Sequence, residues 1–140
     1  KSETAVGYTT LYGDMVGGFA LLKDVPKTWV YKLVQYRNSI SAIIPNEIIQ
    51  RPPTAELRPN QLDQNSLPKY EILDKIIELY VENDLDVASI IKKGFSSKSV
   101  NHIIKLINNN EFKRAQSPIG PKITHRAFGK DRRYPITFKH

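Results

Sequence analysis

Residues 70–112 read YEILDKIIELYVENDLDVASIIKKGFSSKSVNHIIKLINNNEF, and the spacing of their apolar side chains decides the class of fold. Ile72, Leu73, Ile76, Ile77 and Tyr80 share one face at the helical period. Residues 86–93 predict a second, short helix stopped by Gly94, which lacks the Cβ that opposes a left-handed terminus. Ser96 or Ser97 supplies a capping hydroxyl for a third helix, where Val100, Ile103, Ile104 and Ile107 recur at i, i+3, i+4 and i+7. That face continues to Glu111 and Phe112, and Pro118, Gly120 and Pro121 end it. Glu71, Asp74, Glu78 and Glu82 form a stripe that reads as a solvated face, with Glu71 and Lys75 paired at i,i+4.

Working outward, residues 2–11 predict a helix with Ala5, Tyr8 and Thr9 on one side and Gly13 as its stop. Gly17 and Gly18 mark a loop, and Phe19, Ala20, Leu21 and Leu22 follow as a short strand or extended lead-in. Asp24 ahead of Pro26 predicts a helix start capped by the Asp24 carboxylate, running to about Arg37 with Val30, Leu33 and Val34 inward. Pro45, Asn46 and Glu47 start a short turn through Ile48 and Ile49. Residues 51–68 have no periodicity and contain Pro52, Pro53, Pro59 and Pro68, a pattern that is either functional or disordered. From Lys122 onward the chain reads as loop, with residues 134–138 an edge strand at most.

The 140 residues suffice for one domain with a core, and 40% apolar with 25% charged residues is ordinary for a globular protein. No apolar run approaches the roughly 20 residues that span a bilayer. The absence of cysteine rules out disulfides, a thiol nucleophile and Cys-ligated metal in this segment. With no basic-then-apolar leader, the expected setting is cytoplasmic. The net charge of +7 is concentrated: residues 111–140 carry eight Lys and Arg against Glu111 and Asp131, an excess of six. Such a tail suits an anion, whether nucleic acid, an acidic surface or nucleotide phosphates. The opening Lys1-Ser2-Glu3, without a Met, reads as the cut edge of something larger.

His102, His125 and His140 are scattered at spacings that suit neither a metal nor a catalytic pair. Gly13, Gly17 and Gly18 match neither a Walker A loop nor a Rossmann fingerprint. Glu3 is the better candidate: a carboxylate at a helix start, near Tyr8 and Thr10, answers the helix dipole or holds Mg²⁺ while the aromatic packs on a ring. Glu111-Phe112-Lys113-Arg114 couples an aromatic to cations, which fits a nucleotide, a nucleic-acid backbone or a plain basic helix end.

Four motifs together resemble the C-terminal part of the synthetase domain of glutamine-dependent NAD⁺ synthetases. They are the run from Lys1-Ser2-Glu3 to Gly13-Asp14-Met15; Arg51-Pro52-Pro53-Thr54-Ala55-Glu56-Leu57-Arg58-Pro59; Glu111-Phe112-Lys113-Arg114; and Arg126-Ala127-Phe128-Gly129 with Asp131-Arg132-Arg133-Tyr134-Pro135-Ile136-Thr137. The resemblance implies an α/β nucleotide-binding fold of the ATP-pyrophosphatase type, of which this mostly helical chain is the C-terminal part. It implies that ATP and Mg²⁺ serve to adenylate the nicotinate carboxylate of deamido-NAD⁺, and that ammonia from glutamine displaces AMP.

Residue by residue, the resemblance places Glu3 on deamido-NAD⁺ and, as in relatives, on Mg²⁺. Tyr8, Thr10 and Leu11 fall in a stretch lining the dinucleotide site, although Leu11 stands where ammonia-using relatives carry Lys. Arg51 stands where those relatives place a Lys on ATP, and Lys113 matches the late Lys that reaches deamido-NAD⁺. The Pro-rich loop becomes a mobile cover over the site, with residues 60–66 unassigned. The family's Ser-Gly-Gly-x-Asp-Ser phosphate loop and its N-terminal glutaminase domain are not in these residues, so the chain alone is expected to be inactive and to act within a homo-oligomer. Membrane and nucleic acid are not expected partners. The alternatives are a stand-alone basic helical module binding nucleic acid and a structural or interface segment.

Overall fold

The computed structural model describes residues 1–54 and 62–138, so residues 55–61 of the Pro-rich loop, with Glu56 and Arg58, and His140 lie outside the described residues. Helices α1 (Ser2–Val6), α2 (Lys27–Ile40), α3 (Asn46–Gln50), α4 (Tyr70–Ile77), α5 (Val87–Lys92), α6 (Ser97–Asn109) and α7 (Glu111–Ala115) form the frame. Among the described residues there is no strand, only isolated bridges joining Phe19 to Ile119 and Phe128 to Arg132. The expected edge strand near residue 134 is absent; Tyr134 instead stacks on Phe138 with ring centres 5.0 Å apart.

The core follows the apolar periods. Leu73, Ile76 and Ile77 of α4 and Val100, Ile103, Ile104 and Ile107 of α6 are all buried. They close around α1, whose Ala5 and Val6 are covered almost completely. Helix α4 runs without interruption into a π turn, Glu78–Glu82. The wider turn buries both Leu79 and Val81. At the other end of the core, Asn110 separates α6 from α7 and breaks the single face expected through Phe112.

Several local expectations change. Helix α1 ends at Val6, because Gly7 takes a left-handed conformation (φ 77°) and a Cβ there would lie 2.1 Å from the Asn110 side chain. Helix α2 continues to Ile40 with no buried residue, and Leu33 is half exposed instead of inward. Asp24 does not cap α2. Its carboxylate accepts the N–H groups of Ile123 (2.9 Å) and Thr124 (2.8 Å) and the Thr124 hydroxyl, fastening the C-terminal tail. The caps come from farther away: Ser2 Oγ accepts the Lys27 N–H (2.7 Å) and Asp74 Oδ2 accepts the Thr28 N–H (2.9 Å). Asp74 is therefore no solvated residue, nor is Glu82, which binds Lys1. Lys75 pairs with Glu78 at 2.8 Å.

The Lys1 ammonium is buried among Glu82 (2.9 Å), Asp24 (3.1 Å), the Thr124 hydroxyl and the Arg126 carbonyl (2.7 Å). Burial raises the Asp24 pKa, but the Thr124 and Ile123 hydrogen bonds and the Lys1 charge outweigh it and hold the carboxyl below the ordinary carboxylate value. Its contribution to stability is complete above about pH 4, where an unfolded Asp is ionised, and is lost as pH falls through the lowered folded value. We expect Asp24→Ala to destabilise the protein by about 3 kcal/mol, since it strips a buried cation of one partner. Denaturant unfolding at pH 7 measures that loss, and the gap between variant and parent should narrow on acidification below about pH 4.

Candidate functional site

Glu3 sits in the first turn of α1 with a partly exposed carboxylate, and the Lys27 ammonium lies 2.7 Å from it. The same ammonium stands 5.8 Å above the ring of Tyr70, the first residue of α4. Burial lowers the Lys27 pKa, but the Glu3 hydrogen bond and charge overcome it and leave the pKa raised. The Tyr70 hydroxyl donates to the buried Asp63 carboxylate at 2.6 Å. Burial first, and that carboxylate second, push the Tyr70 pKa far upward, so the phenol stays protonated. The Asp63 N–H donates in turn to the Pro53 carbonyl (3.1 Å), which ties the two ends of the Pro-rich loop together.

Glu3, Lys27 and Pro53 border a cleft of about 330 Å³ that is also lined by Tyr31, Ile48, Arg51 and Thr54. Two residues singled out in the sequence, Glu3 and Arg51, thus meet in one concavity although 47 positions separate them. Lys27 was missed in the sequence, yet it carried a signal. A cation in the first turn opposes the helix dipole and calls for some other reason to be there.

The remaining candidates gather at the opposite end of α1, roughly 6 Å further along the helix axis. Lys113 Nζ donates to the carbonyls of Gly7 (2.7 Å) and Thr9 (3.1 Å). The Tyr8 hydroxyl meets Ser66 Oγ on the far limb of the Pro-rich loop. Thr10 is exposed and forms a closed turn with Asp14, donating its N–H at 3.1 Å and accepting the Asp14 N–H at 3.2 Å. Leu11 is half-buried beside it.

The motif at residues 111–114 divides by role. Glu111 and Arg114 are buried and paired at 2.9 Å, and Arg114 donates to the Ala5 carbonyl (2.7 Å) and to that of Ile107. Only Lys113 and the partly exposed Phe112 face outward from it. The basic tail is also largely engaged within the molecule. Lys122 pairs with Asp131 (2.8 Å), Arg126 with Asp84 (2.8 Å), and Arg132 lies between the rings of Tyr80 and Tyr134 while reaching Asp84. Four of the tail cations, Arg114, Lys122, Arg126 and Arg132, are thus paired with carboxylates, Asp84 serving two of them. His102 is exposed, with Nε2 3.2 Å from the Ser66 carbonyl.

Among the described residues, no group of three His, Cys, Asp or Glu side chains could hold a metal ion by itself. The neighbour of Glu3 is a cation. A metal at this carboxylate fits only as one whose other ligands are phosphate oxygens and water, the usual habit of Mg²⁺.

The cleft sets a carboxylate against Lys and Arg, so it presents charge of both signs, and comparison with known proteins gives the family. The chain belongs to the NAD synthase family, whose model matches residues 1–117. It is 63% identical, over 99% of its length, to the glutamine-dependent NAD(+) synthetase of Aquifex aeolicus, of which it covers 24%. The Thermotoga maritima enzyme of the same name is 56% identical over 98% of this chain, again covering 24% of that protein. The structure of glutamine-dependent NAD⁺ synthetase from Acinetobacter baumannii in complex with ADP is 52% identical, with a TM-score of 0.50, across 97% of this chain and 24% of that one. The chain therefore spans about a quarter of the length of these relatives.

Because Glu3 is what keeps the Lys27 ammonium charged against burial, Glu3→Gln should lower the Lys27 pKa. Carbon-13 NMR of the methylated lysine followed across alkaline pH reads the shift. An unmoved titration would mean that the two groups are not in contact.

Proposed function

We propose that this chain is the C-terminal part of the synthetase unit of an ATP-dependent ligase that amidates deamido-NAD⁺ to NAD⁺ with ammonia drawn from glutamine. The observation that carries this reading is the convergence of Glu3, Lys27 and Arg51 on one cleft, in a chain of the NAD synthase family. In this reading the parallel strands of the α/β ATP-pyrophosphatase fold, its phosphate loop and the glutaminase domain belong to the rest of the protein. The enzyme is cytoplasmic and acts as a homo-oligomer.

The chemistry asks for these residue types. A carboxylate is a poor electrophile; attack of the nicotinate oxygen on the α-phosphorus of ATP releases pyrophosphate and leaves an acyl adenylate. Ammonia then adds to the acyl carbon, AMP departs with the C–O bond electrons, and a proton is lost to give the amide. Arg51, with a planar fork of donors, binds phosphate oxygens in two places at once, and Lys27 adds a point charge beside it. Glu3 would hold Mg²⁺, which would neutralise phosphate charge. Lys113 exchanges its two carbonyl partners for deamido-NAD⁺, next to the segment carrying Tyr8, Thr10 and Leu11. Phosphate entering the cleft competes with Glu3 for Lys27, so a single ion pair keeps the ammonium aimed before the substrate arrives.

The full-length protein given ATP, Mg²⁺, deamido-NAD⁺ and glutamine should form NAD⁺ and AMP in equal amounts; failure to form either overturns the proposal. Arg51→Ala should raise the KM for ATP about tenfold, and Lys113→Ala the KM for deamido-NAD⁺ by a similar factor. Steady-state kinetics with each substrate varied separately distinguishes the two. A Lys113→Ala enzyme with the parent's deamido-NAD⁺ KM would remove Lys113 from the site.

A further inference from the structure

The first N–H groups of a helix have no partners within it. In α2 these belong to Lys27 and Thr28, and the residue before them, Pro26, brings no side-chain acceptor. The acceptors arrive from two other helices. Ser2 Oγ, on α1 and only 2% exposed, accepts the Lys27 N–H at 2.7 Å and donates its own proton to Asp74 Oδ1 on α4. Asp74 Oδ2 accepts the Thr28 N–H at 2.9 Å. One carboxylate and one hydroxyl thus join the start of α2 to α1 and α4.

The arrangement holds Lys27 at both ends. Its main-chain nitrogen is bonded to Ser2 and its side-chain nitrogen to Glu3, consecutive residues on α1. The Asp74 charge also answers the positive end of α2, where a lysine is otherwise disfavoured. The structure assigns to Asp74, acting through Ser2 and the first turn of α2, the role of a positioning residue that aims Lys27 into the cleft. It rests on the reading above, in which Lys27 meets the phosphates of ATP. Asp74 itself is predicted to touch no substrate.

The test is a double-mutant cycle in the full-length enzyme, with ATP varied at saturating deamido-NAD⁺ and glutamine. Lys27→Ala and Asp74→Ala should each raise the KM for ATP about tenfold, and the double variant should be no worse than Lys27→Ala alone. Asp74→Asn, which keeps an acceptor for the Thr28 N–H, should recover part of the loss and serves in the same cycle if Asp74→Ala does not fold. Thermal melts report any general loss of stability. Multiplicative losses in the double variant, or a parental ATP KM in Asp74→Ala and Asp74→Asn, would overturn the positioning role. A parental ATP KM in Lys27→Ala, in an enzyme still making NAD⁺, would instead overturn the phosphate role of Lys27 and take this inference down with it.

Discussion

The buried ammonium of Lys1 is the constraint on which the rest of the described structure depends. An ammonium group taken out of water costs several kcal/mol unless every proton finds an acceptor and the charge finds a counter-charge. Lys1 obtains both from parts of the chain remote from one another: Asp24 before α2, Glu82 at the end of the π turn, and Thr124 and Arg126 in the tail. These segments cannot move apart independently without stranding the charge. The first turn of α1 is thereby fixed, and with it the direction in which Ser2 and Glu3 face.

A second buried cation does the same at the other end of that helix. Five residues are too few to sustain a helix in water, yet α1 is the most deeply enclosed of the elements. Arg114 closes it by donating to the Ala5 carbonyl, with Glu111 as counter-ion and the Phe128 ring 4.7 Å from the guanidinium carbon. The candidate site thus rests on a short helix clamped at both ends by long-range electrostatics, with polar groups at each end turned toward the surface. Rigid support of this kind suits residues that must meet a multiply charged ligand in one geometry.

The helices with an apolar face were legible because periodicity reports burial. The four branched residues of α6 lie where their spacing puts them, as do Leu73, Ile76 and Ile77 of α4, but Ile72, expected on the same face, is exposed. Glu3 and Arg51 were singled out by motif, and the fold brings them to one cleft. What could not be read were the polar side chains whose partners lie far along the chain. Asp24 looked like a local cap because Pro26 follows it, but Thr124 competes successfully for the same oxygens. Asp74 and Glu82 looked solvated because their helix neighbours are, while their actual partners sit at residues 1, 2 and 28. Gly7, not the expected Gly13, stops α1, and nothing in the sequence announces that Asn110 will occupy the space beside it. Helix α2 misled differently: of the three residues its spacing placed inward, Val30 and Val34 are only half-buried and Leu33 is exposed.

The π turn after α4 has a consequence for how this family can vary in sequence. Such a turn accommodates one residue more than an α-helix of the same rise. Loss of one residue between 78 and 82 would leave a regular helix with better hydrogen bonding. Everything beyond the deletion would then be rotated by about 100° relative to what precedes it. Glu82 would swing off Lys1, and Leu79 and Val81 could no longer both face inward. Local backbone geometry therefore favours removal of a residue that the electrostatics of the distant N-terminal segment oblige the chain to keep.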